Sequence, residues 1–167
     1  RNSTLLTFGR TGSGKTFSLV GFGEEQGIIP VFCNDLFTSA EDINRKNGEV
    51  RIYCSFFQIC DERIQDLLDV TNTKKVLSVS EHPIYGTVVE NIAEKACQHV
   101  QDLLAAVEFG FSHRASSATS FNVVSTRSHA ILRIRVDIQQ RKANGKIQTR
   151  SSVINICDLA GAENVTT

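Results

Sequence analysis

The stretch from Gly9 to Thr16 has the residue types and spacing of a phosphate-binding loop. Its sequence, Gly-Arg-Thr-Gly-Ser-Gly-Lys-Thr, fits the pattern G-x-x-x-x-G-K-[ST]. The glycines of such a loop let its backbone N–H groups turn inward, where they face a polyphosphate together with the N-terminus of the next helix. We expect Lys15 to reach the β- and γ-phosphates and the Thr16 hydroxyl to ligate Mg²⁺.

Two later stretches also carry polar chemistry. Asp158 follows an apolar run from Val153 to Cys157, and in phosphate-loop folds a carboxylate there lies beside Mg²⁺, usually through water. The run Asp158-Leu159-Ala160-Gly161 fits D-x-x-G, which is typical of a γ-phosphate contact and equally of a strand-ending turn. Residues Asn122 to His129 offer hydroxyls, a guanidinium and an imidazole, but a serine-rich surface loop has the same composition.

Apolar periodicity predicts the elements that position these stretches. In the first part of the chain we expect a short buried strand at Leu5 to Phe8 and a helix from Phe17 to Val20 that ends at the Gly21 to Gly23 region. A second helix from Gly27 to Ala40, a surface connection from Glu41 to Glu49 and a buried strand from Val50 to Cys60 are expected next. A helical turn at Ile64, Leu67 and Leu68 and an irregular segment from Thr71 to Thr87 are expected to follow.

The second part of the chain has the clearest helix and a hairpin. Val100, Leu103, Leu104 and Val107 predict a helix from Gln98 to Glu108 that Gly110 ends. A polar stretch from Ser112 to Ser128 is expected next, followed by an alternating strand from Leu132 to Ile138, an Asn144-Gly145 turn, and a returning strand from Ile147 to Cys157. These elements predict an α/β sheet that contains a long antiparallel hairpin.

Composition narrows the class of protein. The chain has 167 residues, with 18 basic and 18 acidic side chains; this balance argues against a general nucleic-acid or anionic-membrane surface. No apolar run approaches the ~18 residues of a membrane span. The five cysteines form no Cys-x-x-Cys pair, so we expect neither a disulfide framework nor a zinc site, and a reducing compartment. Because the sequence lacks methionine, further residues are expected upstream.

The three polar stretches together resemble the kinesin motor domain. The stretches Gly9–Thr16, Asn122–His129 and Asp158–Glu163 are similar to its phosphate loop (P-loop), switch I (N-x-x-S-S-R-S-H) and switch II (D-L-A-G-S-E), in the same order and at similar separations. The similarity extends over nearly the whole chain. Glu81-His82-Pro83, with Gly86 and Val88-Val89-Glu90, most resembles the third kinesin subfamily, the long-range organelle carriers.

The resemblance implies a fold and a cellular setting. Residues 1–167 would be a partial motor domain of the P-loop NTPase class, from the strand before the P-loop to just after switch II, with a central mixed, mostly parallel sheet, helices on both faces and an antiparallel hairpin. ATP and Mg²⁺ are the implied cofactors and the microtubule is the implied partner, mainly through segments outside this sequence, in the cytoplasm on the cytoskeleton. An unseen tail would bind cargo. We expect these residues alone to be marginally folded and unable to walk.

The resemblance also implies roles for individual residues. The implied nucleotide-binding residues are Gly9, Arg10, Thr11, Gly12, Ser13, Gly14, Lys15, Thr16 and Phe17. Thr16, Thr126 and Asp158 would hold Mg²⁺, the last through water. Ser125 would position the attacking water, and Gly161 would sense the γ-phosphate through its N–H. Arg127 and Glu163 would form the salt bridge that closes the two switches.

Departures from the family pattern leave alternatives. Thr126 stands where the family usually has Ser and keeps the hydroxyl, whereas Ala162 replaces a Ser and removes one. The first hypothesis is an ATP-driven microtubule motor core. The second is a kinesin-like regulatory protein that binds nucleotide or microtubules with weak or no hydrolysis. A P-loop GTPase would share D-x-x-G, but the chain lacks the guanine-reading Asn-Lys-x-Asp motif, because Asn72-Thr73-Lys74-Lys75 does not fit it.

Overall fold

A computed structural model describes residues 1–46, 48–71, 76–120, 128–142 and 144–163, with side chains for all of these except 115–120. The elements in chain order are β1 (Ser3–Thr7), α1 (Lys15–Val20), β2 (Gly21–Phe22), β3 (Glu25–Gln26), α2 (Ile28–Arg45), β4 (Gly48–Cys60), β5 (Arg63–Asp66), β6 (Ser78–His82), β7 (Gly86–Glu90), β8 (Lys95–Cys97), α3 (Val100–Ser120), β9 (His129–Arg141) and β10 (Ile147–Asp158).

The central sheet has the strand order β1-β10-β9-β4-β5, and β8 also pairs with β4. The expected mixed sheet and its long hairpin, β9–β10, are confirmed. The expectation that most pairings are parallel is wrong for the described residues, because only β1 and β10 pair in parallel. Short connections explain two of the antiparallel pairings, β4–β5 and β9–β10, since strands joined by a tight turn must run antiparallel, as they do around Gly145 with its φ of 76°.

The helices form one layer against the sheet. Helix α2 contacts both α1 and α3, and α2 and α3 both contact β4. Alternate residues of β4, Ile52, Cys54 and Phe56, are buried in the core beneath them. Helices on both faces were expected, but the described helices share this one core. On the other face, the Arg133 side chain of β9 donates a hydrogen bond to the Thr87 backbone oxygen of β7.

Several elements differ from the sequence-based expectations. Strand β1 is not buried: Leu5 and Leu6 are 38% and 57% exposed, because β1 lies at one end of the strand order. Helix α2 continues to Arg45 through the expected surface connection. The expected helical turn is instead β5, in which Ile64 pairs with Ile59, and the expected irregular segment contains the β6–β7 hairpin. For β5 and for the β6–β7 hairpin, pairing with a partner strand overrides the local sequence pattern.

Helix α3 does not end at Gly110 but runs ten residues further, to Ser120. Gly110 is buried, and a Cβ built on it would overlap the ring of Phe56 on β4. The glycine is therefore a point of close helix–sheet packing, and the helix continues through it. This continuation carries Arg114 toward the end of β10.

We expect Gly110→Ala to destabilise the protein by up to about 2 kcal/mol. Overpacking against a rigid ring costs ~1–3 kcal/mol, and the ~1 kcal/mol that alanine gains in helix propensity offsets part or all of that cost. Denaturant unfolding measures the difference. In a Phe56→Leu background the same substitution should cost less, because the ring is gone; an equal cost in both backgrounds would contradict the packing explanation.

Candidate functional site

The predicted P-loop connects β1 to α1. Gly12 and Gly14 have φ angles of 76° and 85°, and a Cβ at either position would meet nothing within 4 Å. Glycine is needed there for the backbone conformation, and the space beside the loop is open. Helix α1 begins at Lys15, and the Ser18 N–H donates to the Gly14 carbonyl at 2.8 Å.

A cavity of about 420 Å³ lies beside the loop. One part of its wall comes from the loop and α1, and the other from α3 and the segment after β10. The lining residues are Thr11, Gly12, Gly14, Lys15, Thr16, Phe17, Phe111, Arg114, Asp158, Leu159 and Gly161. The structure thus brings two of the three predicted stretches, the P-loop and the Asp158 stretch, to one cavity.

Lys15 crosses the base of the loop. Its Nζ donates hydrogen bonds to the backbone oxygens of Gly9 at 2.9 Å and Arg10 at 2.8 Å. An ammonium group has three donors, so these two contacts leave one for a further acceptor. The loop therefore positions a cation at the cavity in which the sequence predicts phosphates.

Asp158 ends β10 and lies opposite Thr7 in the parallel pairing. The Thr16 hydroxyl donates to its Oδ2 at 2.5 Å, and the Thr7 hydroxyl donates to its Oδ1 at 3.2 Å. The carboxylate is almost completely buried. A hydroxyl and a carboxylate are hard oxygen ligands of the kind that Mg²⁺ prefers, and both line the cavity. The described residues therefore fit the predicted metal, with Thr16 and Asp158 adjacent.

Arg114 is a site residue that the sequence reasoning did not identify. Its Nη1 forms an ion pair with Asp158 Oδ2, and its Nη2 donates to the Ser128 backbone oxygen at 3.0 Å. Both charged side chains are buried, at 7% and 2% exposure. The sequence offers two signals for Arg114: it is a basic residue one turn beyond a strongly apolar helix face, and it lies ahead of Asn122–His129, where kinesins carry a like segment. Neither signal assigns it a role in the site.

The segment after β10 is attached to the P-loop. The Ala162 N–H donates to the Gly9 backbone oxygen at 3.1 Å, and the Thr11 N–H donates to Glu163 Oε2 at 2.9 Å. The Thr11 hydroxyl donates to the other oxygen of the same carboxylate. A Cβ on Gly161 would overlap these Thr11 and Glu163 atoms, so the contact requires glycine there.

A further contact joins this segment to β9. The Ala160 N–H donates to His129 Nδ1 at 3.2 Å, and His129 begins β9. The residues after Asp158 are therefore held from two sides, by the P-loop and by the first residue of β9. The expected Arg127–Glu163 salt bridge involves Arg127, which lies outside the described residues. Among the described residues, Thr11 is the observed partner of Glu163.

The hydrogen bonds from Thr11 lower the pKa of the Glu163 carboxyl from 4.5 to about 2. Because the folded pKa is depressed, the contact contributes stability that is fully present above about pH 4.5 and is lost as pH falls through about 2. We expect Thr11→Ala, which removes the hydroxyl donor, to move this pKa back toward 4.5.

An NMR pH titration of the Glu163 side chain measures this shift. Thr11→Ser is the matched control, because it keeps the hydroxyl and should keep the low pKa. A Glu163 pKa that is the same in the alanine variant as in the wild type would show that Thr11 does not hold the carboxylate.

The remaining predicted residues divide into two groups. Arg10 and Ser13 lie beside Thr11, Gly12 and Glu163 in a second, more open cavity. Ser125, Thr126 and Arg127 lie outside the described residues.

Within the described ranges, no group of three His, Cys, Asp or Glu side chains is placed to hold a metal ion. None of the described helices has the length and apolarity that a membrane crossing needs.

Comparison with known proteins decides the family. The model of the kinesin motor domain matches residues 1–167, which is the whole chain. The chain belongs to the kinesin motor domain family. The kinesin match also confirms the expected P-loop NTPase fold: a solved structure of a fast kinesin superposes with a TM-score of 0.88 at 31% identity, over 99% of this chain and 46% of that one. That structure was described for its ATPase mechanism and its interactions with microtubules.

Relatives among characterised kinesins are much longer than this chain. The human kinesin-like protein KIF14 is 35% identical over 99% of this chain and 10% of its own length. The Dictyostelium discoideum kinesin-related protein 1 is 35% identical over 97% and 8%, and the rat kinesin-like protein KIF1A is 36% identical over 97% and 10%. The chain thus spans about a tenth of these kinesins. The subfamily assignment stays a prediction.

Proposed function

We propose that this chain is the ATP-binding and ATP-hydrolysing core of a kinesin-like microtubule motor. The observation that carries the proposal is the 2.5 Å contact between the Thr16 hydroxyl and the buried Asp158 carboxylate, at a cavity beside the P-loop. In a kinesin fold, this is the arrangement expected of residues that share a metal ion bound to nucleotide phosphates.

The proposal assigns the described residues as follows. Lys15 binds the β- and γ-phosphates, while the backbone N–H groups of the loop surround them. The Thr16 hydroxyl would ligate Mg²⁺ and Asp158 would hold it through water; the bound ion would neutralise charge on the phosphates. Gly161 lines the cavity, and its N–H would respond to the γ-phosphate. Phe17, also on the wall, adds an apolar surface.

Switch I supplies the other roles. Ser125 would position the attacking water, Thr126 would add a second hydroxyl toward Mg²⁺, and Arg127 would pair with Glu163. Phosphoryl transfer needs mainly positioning and charge neutralisation, so two segments that close around the γ-phosphate can link hydrolysis to motion. The motor would act on microtubules in the cytoplasm and carry cargo through segments outside this sequence.

ATP turnover of the complete protein, measured with and without microtubules, tests the proposal. We expect turnover that microtubules stimulate and that GTP supports less well than ATP. Nucleotide binding with turnover at background, in the presence and absence of microtubules, would contradict hydrolysis and support the regulatory, non-hydrolysing role.

One observation bears on that second role. Ala162 replaces the usual serine of switch II, but its described contact is made by its backbone N–H, which donates to Gly9. This contact does not need a side-chain hydroxyl. It therefore supports a switch II that docks on the P-loop despite the substitution, and we favour the hydrolysing role.

We expect Ala162→Ser to change ATP turnover little. A large gain in turnover would show that the missing hydroxyl limits the enzyme.

A further inference from the structure

Three of the five cysteines lie in the core between the helices and the sheet, away from the nucleotide cavity. Cys33 is on α2, Cys54 on β4 and Cys97 on β8, and all three are buried. None of the cysteines forms a disulfide in the structure described. The proposed ATPase chemistry uses none of them, so their arrangement needs a separate explanation.

Cys54 and Cys97 are in direct contact. Their sulfur atoms lie 3.7 Å apart. In the antiparallel pairing of β4 and β8, Cys97 is opposite Ile52 and Cys54 is opposite Lys95, so the two cysteines are diagonal neighbours on one face. A disulfide requires a sulfur separation of about 2 Å. Strand β8 has three residues and, within the described chain, pairs only with β4, so the disulfide requires the sulfur of this short strand to approach Cys54 from its distance of 3.7 Å.

Both residues are buried, and Cys97, which is 6% exposed, borders a cavity. Cys97 lines a cavity of about 480 Å³ at the start of α3, together with Lys95, Asp102 and Phe109. Cys54 is not part of that wall and is 1% exposed. A small molecule that enters the cavity therefore meets Cys97 first, with Cys54 directly behind it.

The charge environment favours the same thiol. The hydrogen bond to Cys54 lowers the pKa of Cys97 below its ordinary value, against the effects of burial and of Asp102, and Lys95 lowers it further. The same hydrogen bond, with burial, raises the pKa of Cys54. Burial raises the pKa of Cys33 to about 12, which leaves that thiol protonated and unreactive.

We propose that Cys97 and Cys54 form a thiol–disulfide exchange site, in which Cys97 attacks a small aliphatic disulfide that enters the cavity and Cys54 resolves the product. The Cys97 thiolate attacks one sulfur of the reagent, the S–S bond breaks, and the first half leaves as a thiolate that takes a proton from water. Cys97 is then a mixed disulfide without charge. Cys54 next loses its proton to water and attacks Cys97 Sγ, and the second half of the reagent leaves as a thiolate.

The exchange balances without another reactant. The two protein thiols lose two hydrogens and are joined as one disulfide, while the small disulfide is reduced to two thiols. The second step is possible because the first turns the Cys97 sulfur into a disulfide sulfur that lies in contact with Cys54 Sγ. It also removes the hydrogen bond that raises the pKa of Cys54 most, while burial continues to raise that pKa. The order of attack thus follows from the geometry and from the pairing of the two groups.

Bis(2-hydroxyethyl) disulfide, a small aliphatic disulfide, is the probe that tests this site. The complete protein is incubated with it under native conditions and analysed by peptide mass spectrometry. We expect the wild type to lose two hydrogens between the Cys54 and Cys97 peptides. Cys54→Ala should instead retain one 2-hydroxyethylthio group on Cys97, and Cys97→Ala should leave Cys54 unmodified. Cys33 and Cys157, whose pKa values burial raises, are the internal controls and should stay reduced.

Variants that keep the core intact protect the test from a folding artefact. Cys54→Ser and Cys97→Ser replace the alanine variants if circular dichroism shows loss of structure, and they should give the same products. Failure of Cys97 to react in the folded wild type and in the folded Cys54 variants would overturn the proposal. So would modification of Cys33 at a rate equal to that of Cys97. Neither result depends on ATPase activity.

Discussion

Replacing Lys15 with alanine is expected to lower the ATP turnover of the complete protein by a factor of about 10² to 10³, the usual effect of removing one preorganised group that stabilises developing charge. The structure holds the Lys15 ammonium at the cavity with two backbone oxygens, at 2.9 and 2.8 Å. Alanine removes the charge and both contacts. The remaining loop glycines and backbone N–H groups stay, so weak nucleotide binding should survive.

Steady-state turnover, together with nucleotide affinity, measures this effect. Lys146→Ala is the matched control, because Lys146 is an exposed lysine at the β9–β10 turn and lines neither the P-loop cavity nor the second cavity. The control should leave turnover unchanged. Turnover in Lys15→Ala equal to that of the control would contradict the assignment of the phosphate site.

The P-loop and Asp158 were predictable because their chemistry is encoded locally. A glycine-rich loop between a strand and a helix fixes where Lys15 and Thr16 lie, and an apolar run that stops at Asp158 fixes the end of a buried strand. Parallel pairing then places Asp158 beside Thr7, next to the loop. The site thus follows from residues whose neighbours in the chain already determine their position.

Arg114 and the Thr11–Glu163 contact were not predictable in this way. Arg114 reaches Asp158 only because α3 passes through Gly110, and it does so because Gly110 packs against Phe56, far away in the sequence. A helix-ending glycine and a helix-packing glycine look alike in a sequence. The parallel content of the sheet was likewise overestimated, since strand pairing is set by tertiary contacts rather than by the apolar pattern of a single strand.

Breaking the buried Arg114–Asp158 pair is expected to destabilise the protein by about 3–5 kcal/mol, because either single substitution leaves a charge without its partner in the core. Asp158→Asn keeps the shape of the side chain and leaves the Arg114 guanidinium uncompensated. Arg114→Leu leaves the carboxylate, which still accepts hydrogen bonds from Thr16 and Thr7. We therefore expect Asp158→Asn to cost more.

A double-mutant cycle separates the pair from its surroundings. The variant Arg114→Leu/Asp158→Asn removes both charges, so its loss of unfolding free energy should be smaller than the sum of the single losses by about 1–3 kcal/mol. Arg45→Ala is the control: Arg45 is 71% exposed and pairs with Glu41 and Asp42, and such surface pairs contribute only about 0.5 kcal/mol. Additive losses in the cycle would mean that Arg114 and Asp158 act independently, and that α3 does not support the carboxylate at the nucleotide site.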